Sequence, residues 1–260
     1  MTTDSLPPRS FARIREIPVA RPPALVHPGW LDEFPWLVQG TTTRGGAGRP
    51  FDLGLFSGGT AEAEVLVNWE ELRVATGATC VMHSRQVHGS EVRVHGGTAT
   101  GLSIVGACDG HMTREPGVLL GVTIADCVPV FVVDASQRAV AAVHAGWRGA
   151  AEGVLERSIE AMATRFGTDT ADVYIHLGPS ICGDCYEVGP EVFEALGQST
   201  PDRPTPIDLR AALGQRAVAL GVDAERVSVS THCTRCSDSA LFSHRGGDAG
   251  RQVGYVGIRS

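Results

Sequence analysis

A chain of 260 residues, 43% of them hydrophobic, can bury a sizeable core, and its formal net charge of −7 is spread without a block of like charge. That balance argues against nucleic acid or an anionic membrane surface as a partner and for small molecules. All 22 basic residues are arginine, which excludes Schiff-base catalysis and a P-loop lysine and leaves arginine, backbone N–H groups or a metal to hold any anion.

Residues 1–35, rich in proline and arginine and without a secretory signal pattern, read as an extended lead-in, and 36–260 as one domain. WLVQGTTTRGGAG, from Trp36, reads as a strand running into a glycine-rich loop. Helical spacing of Val65, Leu66, Trp69 and Leu72 predicts a helix over 61–76, ended by Gly77. Short apolar runs then predict strands at 92–95, 103–107, 118–124, 128–133 and 139–143. The most apolar stretch, 118–133, is broken by Asp126 and Pro129, so it predicts two buried strands rather than a membrane span, and a cytoplasmic location is expected. An amphipathic helix is predicted over 149–166, a strand over 172–177, helices over 191–196 and 207–220, a strand over 227–229, and a last strand in the tail SHRGGDAGRQVGYVGI. The alternation defines an α/β (α+β) chain with a mixed sheet.

Three corners of this pattern carry chemistry. VHAGWRGA turns from a strand through Gly146 and Gly149 into a helix, presenting backbone N–H groups and a positive dipole end that favour an anion, with Arg148 as a planar fork beside them. Trp147 reads as packing over that corner. SRQVHGSEV sets His88 at a second corner, and TIADCVPVF sets Cys127 between two buried strands. His88, Cys127 and His144 are separated by 39 and 17 residues, too far apart for a zinc finger but suited to a site gathered from separate strand ends. Two imidazoles and a thiolate suit Zn²⁺ and leave a fourth tetrahedral position open, as catalysis requires. Asp126 and Glu187 are candidates for supporting or acid–base roles, or a turn residue and a surface carboxylate.

Seven cysteines without a secretory signal point to reduced thiols. The pairs Cys182/Cys185 and Cys233/Cys236 could join as a Cys₄ zinc site, but with 47 residues between them they are expected to be ordinary thiols near the site.

QVHG, ADCVPV, HAGWRG, GPSICGDCYEVG and a late GRQ, in this order from about Gln39 to the C-terminus, resemble the laccase-domain family, known variously as multicopper polyphenol oxidase, purine nucleoside phosphorylase and peptidoglycan editing factor. The resemblance implies a single α/β domain with mixed sheets packed between helix layers, and zinc held by His88, Cys127 and His144. It implies phosphorolysis of purine nucleosides (adenosine, inosine, methylthioadenosine) and adenosine deamination, with phosphate held by Arg44 and Arg148 beside Gly146 and Gly149. Cys127, His144 and Arg148 are then the catalytic set. Two departures weaken the case for Arg44: AGRPFDLGLFSGG replaces a loop usually rich in serine and asparagine, and Asn68-Trp69 replaces an Asn-Arg pair. Copper ranks below zinc, because none of the nine histidines lies two residues from another. One alternative keeps the same residues, a hydrolase or amidase of a cell-wall precursor with Cys127 as nucleophile and His144 as base; another, a non-enzymatic binding protein, requires an empty site.

Overall fold

The structure, a computed structural model, describes residues 11–46, 48–97, 99–236 and 239–260. In chain order it runs β1 (Ala12–Ile14), β2 (Ile17–Val19), β3 (Ala24–Val26), α1 (Pro28–Glu33), β4 (Leu37–Thr42), α2 (Glu62–Thr76), β5 (Cys80–Arg85), β6 (Val92–His95), β7 (Gly101–Ala107) and β8 (Gly110–Thr113). It continues with β9 (Val118–Ile124), β10 (Val128–Asp134), β11 (Ala139–Ala145), α3 (Trp147–Ala151), α4 (Val154–Phe166), β12 (Val173–Leu177), β13 (Glu187–Val188), α5 (Pro190–Ala195), β14 (Thr205–Pro206), α6 (Leu209–Ala219), β15 (Val227–Ser230) and β16 (Gln252–Ile258). Two seven-stranded mixed sheets result, β1-β15-β12-β10-β11-β8-β6 and β2-β3-β4-β16-β9-β5-β7, with β13 and β14 as a separate pair.

The layering follows from which strands are apolar on both faces. Every residue of β10, β11 and β16 is buried, so each must be covered twice. Val130, Val132, Ala141 and Val143 face Leu155, Ile159, Met162 and Leu213 of α4 and α6. Their alternates Phe131, Val133, Val140 and Ala142 meet Leu120, Val122 and Val256 of the other sheet. The far side of that sheet, with Leu119, Val253 and Tyr255, packs on Val65, Trp69 and Leu72 of α2. The outcome is one domain of four layers, helix, sheet, sheet, helix. Fully buried Trp69 donates its indole N–H to the Leu53 carbonyl at 3.0 Å, so its polar atom is satisfied inside the core.

Several local outcomes differ from the sequence pattern. The expected extended lead-in instead carries strands from Ala12 onward: β1 joins the first sheet beside β15 and β2–β3 joins the second, because Ala24, Leu25 and Val26 are apolar enough to be buried. Residues 1–10 lie outside the described residues. The helix expected over 149–166 is two, α3 and α4, because Gly153 takes φ +82° between them. β5 (CVMHSR) and β8 (GHMT) escape pattern reading because buried histidine, serine and threonine interrupt their apolar residues. The apolar stretch over 118–133 divides into β9 and β10 as expected, and among the described residues no helix is long and apolar enough to cross a membrane.

Candidate metal centre

Strand register brings the three separated candidate ligands together. The β10–β11 hairpin pairs Val128 with Ala145 and Pro129 with His144, so Cys127, one residue before β10, lies opposite Gly146. β8 pairs antiparallel with β11, which sets Asp109, just before β8, beside His144, and the turn at 87–89, ahead of β6, folds onto the Asp109 carboxylate at the same end of the sheet. The result is a compact N₂S set: one donor atom from each of His88, Cys127 and His144 lies within 4.8 Å of the others, and His88 Nε2 is 3.9 Å from Cys127 Sγ. Zinc–ligand bonds of ~2.0–2.3 Å in a tetrahedron separate neighbouring donors by roughly 3.3–3.8 Å, so the set fits a single such ion with little movement.

Asp109 organises this corner. Its fully buried carboxylate accepts the backbone N–H groups of Val87 (3.1 Å), His88 (2.9 Å) and Gly89 (2.9 Å), and pairs with His144 Nδ1 at 2.8 Å. The contact fixes the His144 ring so that Nε2 points to the ligand set. It also holds His88 at φ +60°, a left-handed conformation that few non-glycine residues adopt. Glycine is required next to it: a Cβ on Gly146 would stand 2.9 Å from His88 Cδ2 and 3.1 Å from Cys127 Sγ, and one on Gly149 would stand 2.8 Å from the Gly89 carbonyl.

Electrostatics prepare the thiolate. Burial opposes charge on Cys127, but His144 and then His88 outweigh it and bring the thiol down to about 6. Burial likewise opposes a charged His144, but the Cys127 thiolate and the Asp109 carboxylate raise it to about 9. Each group therefore favours the charged form of the other, and a divalent cation bound here would displace any proton on His144 Nε2.

The three candidate ligands open onto a cavity of about 380 Å³, within the usual size of small-molecule sites. The second sheet closes its other side with Gln86 after β5, Thr123 and Ile124 at the end of β9, and Arg251 before β16. Gln86 is fixed by donating to the Thr123 carbonyl (2.8 Å) and accepting its N–H (2.7 Å). Phe56, Tyr186, His244 and Arg245 complete the part that a ligand would meet.

Not every residue singled out in the sequence reaches this cavity. Gly146 lines it, whereas Gly149 packs into α3 against Gly89. Arg148 is exposed, its guanidinium 4.3 Å from the centre of the Trp147 ring, and does not line the cavity. Arg44 also stays outside, donating to Asp248 (3.0 Å) and the Leu241 carbonyl, because the loop after β4 folds onto residues 240–248. The arginines at the cavity are Arg245 and Arg251, and the signal for them lay in the glycine-flanked tail SHRGGDAGRQ. Asp126 is the turn residue: at φ +92° its carboxylate accepts Thr234 Oγ1 at 2.5 Å and the Arg245 N–H at 2.7 Å. Glu187 is exposed, and its carbonyl accepts Arg245 Nη1 at 3.0 Å. The cysteine pairs depart from expectation most clearly: Cys182, Cys185, Cys233 and Cys236 converge within 4.8 Å of one another.

Fold and centre together define an α/β protein with an open His–Cys–His donor set at the mouth of a small-molecule cavity. The chain belongs to the family described as multi-copper polyphenol oxidoreductase laccase, whose family model matches residues 39–259. It is 32% identical to purine nucleoside phosphorylase YlmD of Geobacillus stearothermophilus over 89% of this chain and 95% of the relative. It is 40% identical to adenosine deaminase RL5 of an unknown prokaryotic organism over 53% of this chain and 56% of the relative. The crystal structure of YlmD from Geobacillus stearothermophilus superposes with a TM-score of 0.78 at 30% identity, covering 87% of this chain and 93% of that one. That of the hypothetical protein YfiH of Bacillus licheniformis gives 0.80 at 25% identity, over 91% and 96%.

Proposed function

We propose that the cavity is a zinc-dependent purine nucleoside phosphorylase site, acting on adenosine, inosine or methylthioadenosine, with adenosine deamination as a second outcome at the same centre. The observation that carries the reading is the convergence of His88, Cys127 and His144 in a cavity that also receives Arg245 and Arg251. The relatives' names support the substrate class. Zinc suits a His₂Cys set with an open fourth position; the same three donors can also hold a single copper, but neither donor group among the described residues carries the clustered histidines of a multicopper site.

When bound, zinc would supply Lewis-acid polarisation and a lowered pKa for water. The chain supplies the rest. In phosphorolysis the C1′–N9 bond breaks, a C1′–O bond to phosphate forms, and the departing base takes a proton. Arg245 and Arg251 offer always-charged planar donors to hold the phosphate against C1′. Phe56, 58% exposed at the cavity, and half-buried Tyr186 offer flat apolar faces to the base. His244, in the same lining, is the candidate proton donor. Arg44, paired with Asp248, and Arg148, stacked on Trp147, lie outside this cavity.

The test is phosphate-dependent release of adenine from adenosine, with zinc quantified in the same samples. Wild type releases adenine only when phosphate is present; Cys127→Ala loses both this activity and the zinc of this centre. Arg245→Ala keeps that zinc while KM for phosphate rises about tenfold. Zinc in the centre without any adenine release would overturn the phosphorylase reading, and ammonia release would then isolate deamination. Cys127 beside a His144 whose Nδ1 is held by Asp109 at 2.8 Å favours one second reading, a thiol hydrolase. Amide cleavage by metal-free protein would establish it.

A further inference from the structure

Beyond the His–Cys–His centre, the described residues contain one other group of converging metal donors, the four sulfurs of Cys182, Cys185, Cys233 and Cys236. Cys182 and Cys185 bracket a single 3₁₀ turn after β12, closed by the Cys185 N–H on the Cys182 carbonyl at 3.1 Å. Cys233 and Cys236 lie on the loop after β15, where Cys233 forms an isolated parallel bridge with Ser180. Cys236 Sγ stands 3.9 Å from Cys182 Sγ and 3.8 Å from Cys185 Sγ. Four Zn–S bonds of about 2.3 Å in a tetrahedron place their sulfurs about 3.8 Å apart. An iron–sulfur cluster would need its thiolates spread more widely than the 4.8 Å limit met here.

The surroundings fit a metal and not a core. Cysteine used as a small hydrophobe is buried, yet three of these side chains are only half-buried and Cys236 is exposed. Backbone N–H groups point at sulfur: that of Cys182 reaches Cys233 Sγ at 3.2 Å and that of Arg235 at 3.4 Å. All four positions are filled by thiolates, which leaves no place for substrate and marks a closed, structural site.

We infer that Cys182, Cys185, Cys233 and Cys236 bind a second zinc ion, which clips the segments 180–186 and 231–236 together. The clip acts on the cavity through Asp126, whose left-handed turn presents Cys127 to the first centre. One clipped segment holds the Asp126 carbonyl through the Ile181 N–H at 3.0 Å, and the other holds its carboxylate through Thr234, which lies between the two cysteines of its pair. Tyr186 and Arg245, both cavity residues, follow directly in the chain from these segments or pack on them, with Arg245 5.2 Å above the Tyr186 ring. This inference is independent of which substrate the cavity takes.

Elemental analysis of reduced, purified protein tests it. Wild type is expected to carry two zinc ions per chain, and Cys127→Ala one. The Cys182→Ser/Cys236→Ser double variant is expected to keep only the zinc of the first centre and to melt at a lower temperature. Cobalt loaded into Cys127→Ala should give the intense thiolate charge-transfer and red tetrahedral bands of a tetrathiolate ion. Should the double variant not fold, Cys127→Ala decides alone. No retained metal and no tetrathiolate spectrum in that variant, with its remaining thiols reacting at once with a thiol reagent in the native state, would overturn the second site.

Discussion

A single carboxylate, that of Asp109, satisfies three backbone N–H groups and one imidazole. An amide in its place offers one accepting oxygen and a pair of donors, so Asp109→Asn forces a donor against at least one N–H and leaves His144 without its charged partner. Zinc affinity at the centre is expected to fall 10–100-fold, by roughly the loss typical of groups that orient a metal ligand, measured by competition with a chromophoric chelator. Unchanged affinity would show that His144 is oriented by packing alone. Gly146→Ala acts on the same centre sterically, since its Cβ would press on His88 and Cys127. It is expected to weaken zinc binding while leaving the circular dichroism spectrum unchanged. At this scale the candidate ligands were legible in the sequence because imidazole and thiolate are chemically specific groups set at predicted corners, inside motifs that resemble those of a known family. Asp109 was not, because nothing in ACDG distinguishes a carboxylate that reaches back 20 residues to Gly89 from one that faces water.

Among the elements, α6 ties the helix layer to the loop that carries Cys233. Asp208 caps it, its carboxylate accepting the N–H groups of Arg210 (3.0 Å) and Ala211 (3.2 Å). Arg210, almost fully buried, donates to the carbonyls of Ser230 (2.8 Å) and His232 (3.0 Å). Asp208→Ala should cost about 1 kcal/mol, read as a melting temperature lower by about 2 °C, while Asp208→Asn keeps the cap and the melting point. Equal loss in both variants would point to the charge rather than the cap. The helix over 207–220 was legible from its apolar spacing, and α2 from its spacing and its closing Gly77. The break between α3 and α4 was not, because a glycine inside a helical pattern is compatible with a continuous helix until packing sets the direction of the next turn. Here Gly149 must approach Gly89, and the chain then turns at Gly153.

Across the whole molecule, burial of histidine sets an acid limit on stability. Burial, with the charge of His176, brings His27 down to about 4; burial, with Arg93, does the same to His95. Both are neutral in the fold over a range in which the unfolded chain, at the ordinary value of 6.5, takes up protons. Their contribution is therefore complete above 6.5 and is lost progressively as pH falls towards 4. The melting temperature, followed with chelator present so that metal release does not contribute, should decline through that interval. A flat profile would show that both rings are solvated.

The sequence by itself determined the class of fold and the two buried strands around Cys127, and it marked His88, Cys127 and His144 as candidate ligands. Apolar periodicity and ligand chemistry are properties of residues and their near neighbours. Only the tertiary structure decided that residues 12–26 add strands to both sheets, that Arg245 and Arg251 rather than Arg44 and Arg148 reach the cavity, and that two distant cysteine pairs meet. Those outcomes depend on strand order and register, which place residues far apart in the chain at one sheet edge, and periodicity along a single segment carries no information about which segment will lie beside it.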